Sequence, residues 1–385
     1  MKKLLASLSI LVLAFSLYLS NNGTWALATE NESILPQVEK IKVKEHYNDL
    51  LKIKQKDECD KYLNELNEKD LLLAIAETAE ELDKQGAYSE ISMFAEFVDK
   101  KLIDKLTEND YISIIESSEY SNLFKVFMID TYTYSKKRVN AKNSEIFNDK
   151  LKKIIKDNNY DSSLRFYALK HVDNFNENDV NTLKEIINSE KEIDYLKTAA
   201  LKVLKKINEK EAYDILKKII KNPELYSVEE VNVGMKLMAR ISENTIQLIN
   251  DKDTRVNDIE NIIQTTKTPS IISGAVYALC EFRNEKSVQT IINNRAIIND
   301  DSLIRYYIDK NYLIVEKMLD KTNDTIIIMD ALACVDIAPF KNFTPKLEEL
   351  INEHENEDIK EKAGLLIDKI NNNSYEHNLK WDYNK

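Results

Sequence analysis

Glycine and proline are nearly missing, five of each in 385 residues. Ordinary usage of about 7% and 5% would give roughly 27 and 19. Hairpin turns and sharp loops draw on both residues, so their scarcity excludes turn-rich β architectures and predicts an all-helical chain with short connections. Only Gly86, Gly234, Gly274 and Gly364 lie beyond the first 28 residues. A glycine-rich phosphate cradle and a Gly-x-Ser-x-Gly nucleophile elbow are therefore absent.

Other shortages narrow the reading. Three cysteines, Cys59, Cys280 and Cys334, are too few for a disulfide framework and read as reduced, buried small hydrophobes. The four histidines, at 46, 171, 354 and 377, have no helical pairing for a metal. His354 sits in the acidic stretch Glu353 to Asp358, which reads as a solvated turn. No Asp/Asn loop with a central glycine offers a calcium site. Nothing calls for a cofactor or metal. Trp381 is the one tryptophan outside the leader, which argues against a sugar platform.

Residues 1–28 read as a signal peptide. Lys2 and Lys3 precede an apolar core from Leu4 to Leu19, and Ala26-Leu27-Ala28 offers the small residues a signal peptidase needs. That core, about 16 residues, falls short of the roughly 20 that span a bilayer. Cleavage after Ala28 implies a secreted, extracellular or surface-associated protein with no integral membrane span. The formal net charge of −12 falls by two, to −14, without Lys2 and Lys3. An acidic chain repels phosphate backbones, so nucleic acid is not the expected partner. The aromatic–basic segment Tyr132 to Arg138 reads as a solvated loop.

What is there is a phrase that returns. Leu151-Lys152-Lys153-Ile154-Ile155-Lys156 recurs as Leu183 to Asn188, Leu216 to Lys221, Ile259 to Gln264, Val288 to Asn293 and Leu347 to Asn352. Weaker copies start at Tyr111 and Val315. Apolar residues at i, i+3 and i+4 define one helix face, and each phrase reads as the start of a first helix, A. A second helix, B, follows with a small residue at a near-constant offset. Ala168, Ala200, Ala275, Ala331 and Ala363 stand 16 or 17 residues after the start of their phrase, Met235 and Tyr307 19. Phe127 takes the place after Tyr111, and Ala76 belongs to an earlier pair near 59–80. Phase is lost between about 82 and 106. Gly234, Gly274 and Gly364 flank the small position and read as sites of close helix approach. Thr268-Pro269 and Thr344-Pro345 read as a capping Thr followed by Pro at the first helical position, and Ser227 with Glu230 as a capping box.

Such recurrence is the signature of a stacked-helix solenoid. The B-helix pattern of Leu164 to Leu169, Leu196 to Leu201 and Ile359 to Gly364 resembles HEAT and HEAT-like repeats. The short units resemble the bacterial, phycobilisome-lyase type of these armadillo-like repeats more than the long eukaryotic ones. The resemblance covers roughly 111–372. It implies a right-handed α-solenoid of stacked antiparallel helix pairs over 29–372, followed by a polar tail over 373–385. It also implies a protein- or peptide-binding concave face lined by B helices. On those helices Tyr and basic residues are the candidate partner contacts: Arg165, Tyr167, Lys197, Tyr277, Arg305, Tyr306 and Lys360. The expected function is a monomeric, exported bacterial binding scaffold with no catalytic residue named. The alternative is an α/α-toroid enzyme, a lyase or glycosidase, acting on a cell-surface polymer through paired carboxylates.

Overall fold

The computed structural model describes residues 106–248 and 253–372, together with Ala76, Glu80, Tyr375 and His377. The signal segment 1–28, Cys59, Gly86, most of the early pair near 59–80, and 378–385 of the tail lie outside the described residues. Ala76 itself is helical. Eighteen α-helices and no strands occur among the described residues, so the all-α expectation holds there. The chain divides into two compact units between Phe175 and Asn176.

The first unit contains α1 (Glu108–Glu116), α2 (Asn122–Arg138), α3 (Glu145–Lys156) and α4 (Ser162–His171). The A helix α1 packs on its B helix α2, and α3 on α4; α1 also touches α3, and α2 touches α4. Tyr132 to Arg138, expected as a loop, forms the last two turns of α2. The reason is packing: Tyr132 is 2% exposed, stacks on Phe147 at 3.8 Å and donates its hydroxyl to Glu108 at 2.5 Å. Burial and that carboxylate push the Tyr132 phenol up to about 12.

The second unit begins with α5 (Val180–Asn188), α6 (Asp194–Ile207), α7 (Glu209–Lys221), α8 (Val228–Ala239) and α9 (Glu243–Leu248). It continues with α10 (Arg255–Thr265), α11 (Pro269–Leu279), α12 (Glu285–Asn293), α13 (Arg295–Ile298) and α14 (Asp301–Lys310). Helices α15 (Tyr312–Met318), α16 (Thr325–Ile337), α17 (Thr344–Glu353) and α18 (Glu357–Asn372) complete it. The B helices contact one another in series, α6 to α8, α11, α14, α16 and α18. The A helices α7, α10, α12 and α15 form a parallel series of neighbours.

The returning phrase supplies the core. Leu151, Ile154, Ile155, Leu216, Ile219, Ile220, Ile259, Ile262 and Ile263 are all at most 3% exposed. Each phrase closes its helix instead of opening it: α3 starts at Glu145, six residues before Leu151, and α7 at Glu209, seven before Leu216. Capped, acidic first turns precede the apolar face. Ser144 accepts from the Phe147 amide and Asn208 from the Glu211 amide. The small position is the other half of the design. Ala168, Ala200, Met235, Ala275, Tyr307, Ala331 and Ala363 are fully buried. The two long offsets have local causes: a 3₁₀ turn, Pro223–Leu225, precedes α8, and the short α13 precedes α14.

The glycines divide. A Cβ on Gly274 would stand 2.0 Å from the Asn232 side-chain oxygen, and one on Gly234 3.1 Å from Ile219, so both mark close approach. Gly364 has nothing within 4 Å of such a Cβ, and its expected packing role fails. The prolines also differ from expectation. Pro269 opens α11, but Thr268 makes no side-chain cap bond; Thr344 is itself the first residue of α17. The Ser227–Glu230 capping box is present. Cys280 and Cys334 are free and buried, and burial raises both thiols, Cys280 to about 12.

Candidate interaction surface

The B helix has two faces that matter for a partner, and register against the buried small position separates them. A residue three before that position lies on the same side of the helix and turns inward. Ile304 and Ile328 hold it with no exposure. Arg165 holds the same register in α4 and is 3% exposed, with its Nε donating to the Ile155 carbonyl at 3.0 Å. That carbonyl belongs to the last turn of α3, where unpaired oxygens and the helix dipole favour a cation. Arg165 therefore binds its own A helix and is withdrawn from the surface.

Lys197 takes this register in α6. Its amine lies 3.6 Å from Glu230, whose carboxylate also closes the capping box of α8. Lys360, in the first turn of α18, pairs with Glu357 at 2.8 Å. Arg165 and Lys197 thus serve contacts inside the fold, whereas the Lys360–Glu357 pair stays within the exposed first turn of α18.

Two after the small position the helix turns outward in four B helices, where Lys170, Lys202, Tyr277 and Leu365 are exposed. One before it, Tyr167 and Tyr306 are half-buried, at the place where Gly234 and Gly274 pack closely. Across α11 and α14 the structure joins two expected residues: the rings of Tyr277 and Tyr306 meet edge to face at 5.5 Å. Tyr277 remains 50% exposed. The Lys310 amine stands over the Tyr306 ring at 5.2 Å. The Arg240–Glu281 pair, at 3.0 Å, joins the C-terminal ends of α8 and α11. The Glu281 carboxyl is partly buried, which works against its charge, but Arg240 and nearby lysines outweigh this and hold it below the usual range. In α4, Lys170 similarly lies over Tyr167 at 5.2 Å.

Arg305 follows neither pattern. Its Nε reaches the Ile337 carbonyl at 3.4 Å, and its guanidinium stands 4.2 Å from the Tyr375 ring centre. Asp309, Tyr312 and His377, which join it there, escaped sequence reasoning because Asp309 and His377 are 68 residues apart and neither falls in the repeating phrase.

No group of three or more His, Cys, Asp and Glu side chains able to hold a metal occurs among the described residues, and the His354 ring accepts the Asn356 amide at 3.0 Å. No helix among the described residues is long and apolar enough to cross a membrane. The chain matches no protein-family model and no curated protein.

Proposed function

We propose that the chain is an exported, right-handed α-solenoid of antiparallel HEAT-like pairs that binds a protein or peptide through its B-helix face. The observation that carries this reading is the Tyr277–Tyr306 pair, presented by adjacent B helices and edged by Lys310 and the Arg240–Glu281 pair. Large aromatic rings beside satisfied charges are the composition of an interface centre with a polar rim. The serial packing of B helices in the second unit supports the solenoid, because each pair then buries its apolar face on its neighbours. The acidic balance directs the reading to a protein rather than to nucleic acid.

Affinity capture with the chain from Thr29 onward, run beside a Tyr277→Ala/Tyr306→Ala double variant, tests it. A partner retained by the parent and lost by at least tenfold in the variant is expected. Equal retention by both would remove the B-helix face from the reading.

A further inference from the structure

Tyr375 and His377 return from beyond α18 to the ends of three earlier helices. The Tyr375 amide donates to the Pro339 carbonyl at 3.1 Å, and the Lys341 amide donates to the Tyr375 carbonyl at 3.4 Å. These bonds make a parallel bridge between Phe340 and Tyr375. The His377 side chain has no exposure; its Nδ1 lies 2.6 Å from an Asp309 carboxylate oxygen. Its ring stacks on Tyr312 at 4.2 Å and meets the edge of Phe340 at 5.9 Å.

The recess that receives them is firmly held. Tyr312 is stacked on Phe343 at 4.7 Å on its other side, and its hydroxyl bonds Glu316 at 2.7 Å and the Asn342 carbonyl at 3.1 Å. Arg305 and Asp309 are one turn apart on α14, with Arg305 over the Tyr375 ring. Main-chain pairing supplies affinity without sequence, while the two side-chain contacts supply a code. Alternate residues of an extended segment share a face, which suits an aromatic residue and a histidine two positions apart.

We propose that this recess is a peptide site for an aromatic-x-His segment, filled in cis by Tyr375 and His377. Tyr375 and His377 then act as a latch that keeps Arg305 from other ligands until they are displaced. Two ring contacts, two main-chain bonds and a carboxylate paired with a buried imidazole are more than a tail needs merely to cover the last helix. The proposal goes beyond the B-face reading and does not depend on it, since its test needs no outside partner.

The probe is a fluorescein-labelled peptide with the sequence of residues 373–385, titrated into full-length protein. The tethered tail has a large effective concentration, so the wild type should resist the probe. The His377→Ala protein, with its own tail weakened, should bind it at least tenfold more tightly. That gain should vanish when the peptide carries Ala in place of His377, or when Asp309→Asn is added to the protein. Asp309→Asn keeps the shape of the recess and guards against a folding artefact, checked by far-ultraviolet circular dichroism. Amide exchange at Lys341 and Tyr375 should accelerate at least tenfold in His377→Ala while α16 stays protected. Equal probe binding by wild type and His377→Ala, or binding indifferent to His377 and Asp309, would overturn the site. A wild-type dimer that His377→Ala converts to monomer would overturn the cis arrangement.

Discussion

The two helices of each pair solve different packing problems. An A helix such as α3 or α7 buries one stripe and leaves its lysines in water: Leu151, Ile154 and Ile155 are buried, whereas Lys153 and Lys156 are exposed. The B helix α4 is flanked by its A partner α3 and by the B helix α2, and α16 by the A helices α12 and α15 and the B helices α14 and α18. The buried set of α4 runs further round the cylinder, from Leu164, Arg165 and Ala168 to Leu169 and His171. A stripe is satisfied by size and hydrophobicity, which several residues supply. A helix hemmed in on several sides needs a particular volume at one point, and that point is the small position. The comparison teaches where tolerance lies: in the outer half of the A helices and the outward register of the B helices.

The heaviest break of this contrast is Tyr307→Ala. Seven of the eight B helices from α2 onward place another residue there, but α14 fills it with a fully buried ring bonded to the Ser287 hydroxyl at 2.8 Å. Its removal should cost about 3–5 kcal/mol, read as a lower urea midpoint. Lys153→Ala, on the open side of α3, should change stability by less than about 0.5 kcal/mol.

Arg165→Leu sharpens the inward register. It leaves the Ile155 carbonyl without its donor and should cost about 1–3 kcal/mol, whereas Tyr277→Ala on the outward register should leave the urea midpoint almost unmoved. Equal sensitivity at both sites would erase the distinction between registers.

The glycines offer a test in opposite directions. Gly274→Ala forces Asn232 aside and should destabilise by about 1–3 kcal/mol. Gly364→Ala meets open space inside α18 and should stabilise by up to about 1 kcal/mol. Thermal unfolding of both variants separates close approach from mere adjacency.

The smallest effect concerns charge. Glu209 opens α7, and burial by itself would raise its carboxyl. Bonds from Lys205, Ser242 and Thr245 outweigh that and bring it down to about 2. A carboxyl lowered in the folded state contributes stability above its unfolded value near 4.5, and that contribution is lost as pH falls toward about 2. Glu209→Gln should therefore show a smaller fall in urea midpoint between pH 5 and pH 3 than the parent.

Much of this molecule could be read from the chain because its rules are local. The i, i+3, i+4 phrase names the buried face of α3, α7 and α10, and the offset to Ala168, Ala200 and Ala275 names the tight point of each B helix. The inward fate of Arg165 and Lys197 was also present in their register, three residues before a buried alanine, but the chemistry of Arg suggested a surface. Gly364 departs from its expected role for a related reason: adjacency to Ala363 says nothing about which neighbour approaches that side.

The sequence by itself determined the helix pairs that carry the returning phrase and the apolar face of each A helix, since periodicity and capping act over four to twenty residues. Only the tertiary structure decided which outward rings meet, Tyr277 with Tyr306, and that His377 is buried on Asp309 and Tyr312. Those contacts join residues 29 to 68 positions apart, brought together by helices whose own sequences carry no mark of the residue they will touch. Packing geometry, not local propensity, sets such distances.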